Sequence, residues 1–449
     1  MEVGPGELRA RYDLVIIGTG PAGLTLASKY EEQTRGRVLM IESGPRSVTG
    51  ENRAQGLAST QASGHFDSTH YVRHSRRNFG GTSTVWGGYC AVLEERSFLN
   101  NEWPLTYGEL YEYYPEAAKI LELPERVHTR PEVAFPDNTN IVYKPYYLSP
   151  PTRFNESFMG WVDSNGNVDV LFDHSVSQVK MNGATASSVL MRESSGDNAT
   201  RVEAFGDTIV LATGGIQNAR LLKTSLPRDN EALGSYFCEH PHAYGVATMI
   251  FDRQKLKHVV DKETQRIVNG IGLSSEFCVQ HSLKSATFEV NDQSQASSNN
   301  LLGERRDTLT FKTTIRAEMS ALPSNSVTLS DRRDVLGQPM ARVFFRFDPE
   351  EPRAAAESLN SELVRSGLGR MSIMPEEFKI EGGGHMIGTT RMGNDPDNSV
   401  TDGWGRVHGT DNLYVAGSSL FPAAASANPT LTIVALALRL AAHLAESTN

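Results

Sequence analysis

Two residues near the C-terminal end have the types and setting for work on an alcohol. His385 follows three glycines in Gly382-Gly383-Gly384-His385 and leads into Met386-Ile387-Gly388-Thr389-Thr390-Arg391-Met392-Gly393, and Asn428 stands in Ala427-Asn428-Pro429-Thr430 before a long apolar stretch. An imidazole titrates near neutrality and can take a hydroxyl proton as a carbonyl forms. A carboxamide can donate a hydrogen bond to the same oxygen, orienting the carbon and stabilising developing negative charge. Taken singly, a loop histidine satisfying a carbonyl and an asparagine capping a helix are ordinary features. Taken together they fit hydride removal from a carbinol, with His385 as base and Asn428 orienting the oxygen. A helix starting at Pro429 or Thr430 accepts proline in its first turn and turns its positive end to any nearby anion.

The other histidines read differently. His240 and His242 flank Pro241 and fit a pocket wall or a structural role. His65, His70 and His74 are spaced by five and four in a region of Ser, Thr and Gly that matches no zinc pattern, so no metal is expected. Arg391 reads as an anchor of the loop that carries His385.

Those side chains need a scaffold, and the N-terminus describes one. Asp13-Leu14-Val15-Ile16-Ile17 is an apolar strand, followed by Gly18-Thr19-Gly20-Pro21-Ala22-Gly23 and a helix from Leu24 to Tyr30. Gly18 permits the turn, Gly20 admits a pyrophosphate to the backbone, and Gly23 lets the helix close on the strand. Arg37-Val38-Leu39-Met40-Ile41-Glu42 is a second strand ending in an acid placed to accept ribose hydroxyls. A Gly-rich loop with hydroxyls, Phe79 to Gly88, can wrap a phosphate or a ring with backbone N–H groups.

Farther along, Thr106 to Leu121 has helical spacing. Asp169 to Leu211 turns to strands, and Thr208 to Gly215 followed by Gln217 to Ser225 is a second strand-glycine-helix entry, as expected where a dinucleotide-binding unit resumes. Short alternating segments between Phe237 and Phe347 predict an antiparallel sheet, and Asn291 to Asp307 is polar enough for a loop. The expected fold class is α/β: a Rossmann-like dinucleotide-binding domain from residues 1-235 and 381-449, with an antiparallel-sheet substrate domain interleaved over 236-380.

Composition narrows the partners. The chain has 449 residues, a formal charge of -10 and a pI near 5.7, which argues against a nucleic-acid partner. Cys90, Cys238 and Cys278 are far apart with no ligand spacing, and Met1 to Arg11 lacks an apolar core, so a reducing cytoplasm is the expected setting. The apolar run Leu431 to Leu444, broken by Arg439, reads as a core helix too short to span a bilayer.

With these motifs in hand, the chain resembles the glucose-methanol-choline (GMC) oxidoreductases, closest to their sugar and polyol oxidising branch. The resemblance rests on the N-terminal fingerprint, the Gly80 to Gly88 loop, Ala212 to Leu222, Leu233 to Pro241 and the C-terminal block. It implies bound FAD, with contacts at Gly18, Gly20, Gly23, Glu42, Gly81, Thr82, Ser83, Val176, Ala212, Gly417, Ser418, Pro429 and Thr430, and His385 and Asn428 at the flavin face. Some relatives tether FAD through a His just before the Trp of the Gly-rich loop. Val85 occupies that place here, so FAD is expected to be noncovalent. The implied reaction is oxidation of a hydroxyl of a sugar, glycoside or polyol, with oxygen, a quinone or a redox protein as acceptor. Two readings stand beside it: a cyanohydrin-type lyase with redox-silent FAD, and an FAD-binding protein without activity.

Overall fold

The computed structural model describes residues 1–47, 60–99, 103–129, 133–135, 138–194, 201–227, 230–252, 255, 266–290, 308–373 and 380–448. The loop expected over Asn291 to Asp307 lies outside them.

Five parallel strands form the centre of the first unit, in the order Val168–Leu171, Val38–Ile41, Tyr12–Ile17, Arg201–Leu211, Leu413–Val415. Leu14, Val15, Ile16, Val38, Leu39 and Met40 are fully buried, which is why these strands read as unbroken apolar runs instead of alternating ones. Arg201–Leu211 is long enough to serve two neighbourhoods. Its last residues pair with Tyr12–Ile17, while its first pair antiparallel with Thr185–Glu193, which continues into His174–Asn182. Register brings the C-terminal ends of the parallel strands level. Gly18 N donates to Ile41 O at 2.8 Å, Ala212 N to Ile17 O at 2.8 Å, and Ala416 N to Leu211 O at 2.8 Å. Gly18, Glu42, Ala212 and Ala416 thus stand side by side at the edge where open parallel sheets bind ligands.

Two glycines have steric reasons to be there. Gly18 has φ +104°, and a Cβ on it would stand 2.5 Å from Ala212 O. A Cβ on Gly23 would stand 2.2 Å from Gly18 O, so the helix Pro21–Thr34 can close on the strand only without one. That helix packs against the C-terminal helix Thr430–Thr448. The C-terminal helix is longer than the apolar run suggests. Its stretch Thr430–Ser447 is long and apolar enough to cross a membrane, which corrects the reading that it is too short, and 67% of that stretch is buried within the protein.

The second sheet is antiparallel, in the order Gly369–Ile373, Pro241–Asp252, Thr308–Ala317, Ala286–Glu289, Gly270–Leu273, Asn138–Tyr143, Val133–Phe135. One face packs on the helix Glu350–Arg365 around a separate core that includes Phe251, Phe288, Phe311, Leu359 and Leu363. Chain order and spatial order differ here. Asn138–Tyr143 and Val133–Phe135 come from outside residues 236-380. The hairpin Ser326–Arg333 and Pro339–Phe345, inside that range, pairs with Thr60–Gly64 and buries Val327, Val343 and Phe345 in the first core. These pairings are long-range, and local periodicity carries no record of them.

Strand Pro241–Asp252 links the units, because its start pairs with Glu381–Gly382, Pro241 opposite Gly382 and His242 opposite Glu381.

The packing at Gly23 yields a stability test. Gly23→Ala should lower unfolding free energy by about 1–3 kcal/mol, the usual cost of overpacking. Gly20→Ala should unfold like the parent, since a Cβ at Gly20 meets no protein atom within 4 Å. Urea midpoints of the two variants check the contrast.

Candidate functional site

A cavity of about 680 Å³ runs along the edge where the parallel strands end. Its lining takes in Gly18, Gly20, Glu42, Gly81, Thr82, Ser83, Val176, Ala212, Gly417, Ser418, Pro429 and Thr430, together with His385 and Asn428. Gly23 is absent from the lining, and its place is the contact between helix and strand. Gly20, Gly214 and Gly417 present bare backbone, since a Cβ on any of them would meet nothing within 4 Å. The helix Pro21–Thr34 begins directly after Gly20, so its open N–H groups face the same space. The lining carries five arginines, Arg76, Arg77, Arg192, Arg220 and Arg316, against two acids, Glu42 and Asp334, an excess suited to a pyrophosphate.

Glu42 is more engaged than the sequence indicates. Its Oε2 accepts from Thr19 N at 3.1 Å and Thr19 Oγ1 at 2.6 Å, and its Oε1 from Gly44 N at 3.0 Å. Burial raises its pKa against these bonds. The carboxylate therefore ties the glycine turn to the second strand, and any ligand hydroxyl must share it. Arg77 lines the cavity near Glu42, its pKa lowered to about 10 by burial and by the charge of Arg220.

At the other end the histidines gather. The ring of His385 lies 5.0 Å from that of His240 and 5.7 Å from that of His242. Glu239 organises them. This fully buried carboxylate accepts from Gly384 N at 3.0 Å, from His385 N, and from His240 N at 3.2 Å, and shares a hydrogen bond with His70 Nε2 at 2.7 Å. His385 Nδ1 is buried without a partner beside Gly383, where a Cβ would be 2.7 Å away, so Nε2 is the nitrogen open to the cavity. Burial first, then the charges of His240 and Arg316, hold the pKa of His385 well below its ordinary value. The same burial takes His240 down to about 3 and His242 well below the usual range. These rings are neutral in the folded state at ordinary pH.

Asn428 is fixed from its own loop. His240 Nε2 is bonded to Ala425 O, Tyr146 OH donates to Ser426 O at 2.6 Å, and Ser426 Oγ donates to Glu94 Oε1 at 2.9 Å. The Asn428 amide lies against His240, yet His240 Nδ1 and Asn428 Oδ1 each lack a well-directed partner.

His65, His74 and Arg391 are held by other partners. His65 Nε2 meets Ile380 O at 3.0 Å, and His74 Nδ1 meets His70 O at 2.8 Å. Arg391 lies over the Tyr236 ring at 4.3 Å. Among the described residues, His240, His242 and His385 bring ligand nitrogens within 4.8 Å of one another, a spacing that metals also use. Arg316 Nη1, at 3.1 Å from His242 Nδ1, sets a like charge where a dication would stand. Sequence reasoning missed Glu239, Arg316 and Glu94. Glu239 had a signal, an acid directly before His240-Pro241. Arg316 had none, since it alternates with core residues and reads as facing solvent.

The family description "GMC oxidoreductase" matches residues 321–437, and "Lycopene cyclase protein" matches residues 13–74, a stretch that begins with the strand-glycine-helix unit. The chain is 40% identical over 123 residues to paromamine 6'-oxidase of Streptomyces fradiae, covering 27% of this chain and 23% of that protein. It is 34% identical over 132 residues to C-glycoside 3-oxidase of Microbacterium trichothecenolyticum, covering 27% and 25%. The matched stretches thus span about a quarter of these relatives' length. Among solved structures, pyridoxine 4-oxidase from Mesorbium loti superposes with a TM-score of 0.60 over 96% of this chain and 98% of its own, at 17% identity, a likeness of fold.

Glu239 should reveal itself in stability. Glu239→Gln replaces one carboxylate oxygen by an amino group facing N–H donors, and should cost about 1–3 kcal/mol, the range for a buried group left unsatisfied. Urea unfolding checks it, and an unchanged midpoint would mean that the glycine loop holds its shape without that acceptor.

Proposed function

We propose that the chain, whose residues 321–437 match the GMC oxidoreductase description, is an enzyme of that kind that binds FAD noncovalently in this cavity and oxidises a hydroxyl of a sugar, glycoside or polyol to a carbonyl. One observation carries the reading. His385 and Asn428 line the same cavity as Glu42 and Arg77, with a helix N-terminus immediately behind Asn428. The cradle fits the cofactor in its bare glycine backbone, its excess of arginines and its two helix starts. Val85 lines the cavity where a tethering histidine would stand in some relatives, and it cannot form that bond.

FAD, when bound, supplies the hydride acceptor. The protein's own residues do the rest. Asn428 Nδ2 holds the substrate oxygen and fixes the direction of the carbinol C–H bond. His385 Nε2 takes the hydroxyl proton, and its lowered pKa keeps it in the accepting form. Glu239 holds the His385 backbone, so the ring approaches from one direction. The first turn of helix Thr430–Thr448 adds a positive end where negative charge collects. The lyase reading draws on the same histidine, but it leaves the Asn428 donor and the helix end without a task. Acceptors compatible with this site are oxygen, a quinone or a redox protein.

The cofactor claim has a simple check. Acid precipitation of the yellow protein should leave all of its flavin in the supernatant, and flavin retained in the pellet would refute noncovalent binding.

The catalytic claim is tested without oxygen. A sugar, glycoside or polyol should bleach the bound flavin, and His385→Ala should slow that bleaching by about 10² to 10⁴-fold while flavin stays bound. Because the folded-state pKa of His385 is depressed, the neutral base prevails above its ordinary value. The parent rate should be flat from near neutrality upward and fall only on the acid side. Asn428→Ala should slow reduction and keep that acid limb, since an amide does not titrate. Reduction of His385→Ala at the parent rate would remove His385 from the mechanism.

A further inference from the structure

The wall opposite His385 is the polar face of the antiparallel sheet, and it carries a charge that the reaction does not need. His242 and Arg316 are cross-strand partners, and Arg316 is also opposite Thr287, two residues before Glu289. Alternation sends Phe311, Thr313, Ile315 and Ala317 to the sheet's other face and Arg316 toward the cavity. Arg316 is 6% exposed, with its Nε bonded to Glu289 and its Cζ 4.6 Å from the centroid of the Tyr89 ring. Its Nη1 also lies 3.1 Å from His242 Nδ1, and Tyr89, His242 and Tyr244 all stand in the cavity wall. Held on three sides, the guanidinium cannot swing away from a ligand.

The position of the countercharge decides what it can bind. Glu289 does not line the cavity. It holds Arg316 from behind, so the cation faces inward. The two lining acids belong to the dinucleotide end, Asp334 bonded to Arg220 and Glu42 near Arg77. Glu239 is consumed by N–H groups and His70, and Glu381 is exposed and outside the lining. Around the His385 end the three neighbouring imidazoles are neutral. Among the described residues, a ligand there meets a donor-rich wall with Arg316 as its inward cation.

We propose that Arg316 is a specificity-determining residue that binds a carboxylate of the substrate, so that the preferred alcohols are polyhydroxy acids and amino sugars are rejected. This deepens the alcohol-oxidation reading and rests on it. A guanidinium gives a carboxylate charge-assisted, directional hydrogen bonds, a neutral hydroxyl weaker ones, and an ammonium only repulsion.

Glucose, glucuronate and glucosamine differ in charge on one ring and provide the test. Each is titrated into the holoenzyme without oxygen, reading the shift of the flavin spectrum for binding and bleaching for reduction. Glucuronate should bind about 10- to 100-fold more tightly than glucose, the span of one charged hydrogen bond, and glucosamine more weakly than either. Arg316→Gln should abolish the ranking. Glu289→Gln should sharpen it by leaving the cation uncompensated. The double variant Arg316→Gln/Glu289→Gln, which strands no buried charge, must also lose the ranking, and it answers for a single variant that fails to fold. Equal binding of acid and neutral sugar in the parent, or a ranking that survives Arg316→Gln, overturns the inference. If glucose bleaches the flavin in that case, alcohol oxidation stands without it. Failure of all three sugars to bind overturns the inference, and alcohol oxidation falls with it if glycosides and polyols also leave the flavin unbleached.

Discussion

The carboxylate of Glu239 is the constraint on which the histidine cluster of this protein depends. A glycine-rich segment such as Gly382-Gly383-Gly384 has a wide choice of conformations, and fixing it costs more entropy per residue than fixing most chains. Glu239 meets that cost with acceptors for Gly384 N and His385 N, while His70 Nε2 shares Oε2 with Gly384 N. It also precedes His240, so one residue sets the position of two imidazoles on different segments. The glycines are required in turn. A Cβ on Gly382 would stand 2.3 Å from Glu239 Oε2, and one on Gly384 would stand 2.5 Å from the His74 ring. Glycine and acid are a single device, in which bare backbone admits a buried anion and the anion makes bare backbone rigid.

A second consequence concerns charge. Three imidazoles within a few ångströms of one another cannot all be protonated in a buried site, and Arg316 lies close enough to oppose even one proton. Burial and the guanidinium work in the same direction, so the site holds neutral bases at ordinary pH. Arg316 itself stays charged because Glu289 offsets its desolvation from behind. A buried pair of this kind contributes little net stability. Its consequence here is directional, a cation facing one way and an anion the other.

How much of this could be read in advance depends on the range of the interactions. The strand-glycine-helix unit and the strand ending at Glu42 are local, and their register needs only short-range patterns, so the parallel sheet and the dinucleotide edge were legible. His385 and Asn428 were legible as types in context, and the structure brings them to one cavity. The helix Thr430–Thr448 was foreseen, though its length was understated. Domain limits were harder, because Asn138–Tyr143 and the 326–345 hairpin obtain their partners from distant segments. Arg316 was invisible for a related reason. Its strand alternates as a half-exposed strand does, and only packing of the first unit over the polar face makes that side an interior.

The loop carrying Asn428 shows how the units act together without sharing a core. Glu94 Oε1 accepts from Lys144 Nζ at 2.9 Å, Ser285 Oγ at 2.7 Å and Ser426 Oγ at 2.9 Å, while its Oε2 accepts from Arg96 Nε at 2.8 Å. Lys144 and Ser285 border strands of the antiparallel sheet, and Ser426 lies two residues before Asn428. The cations beside Glu94 outweigh its burial and hold its pKa far below the usual carboxylate range, so the charge persists. A persistent buried anion demands its full set of donors. Displacement of the antiparallel sheet would strip Lys144 and Ser285 from it and leave Ser426 to satisfy it with Arg96 alone. The sheet that carries His242 and Arg316 is thereby tied to the loop that carries Asn428, and these two parts of the cavity wall are held to one geometry by the same carboxylate.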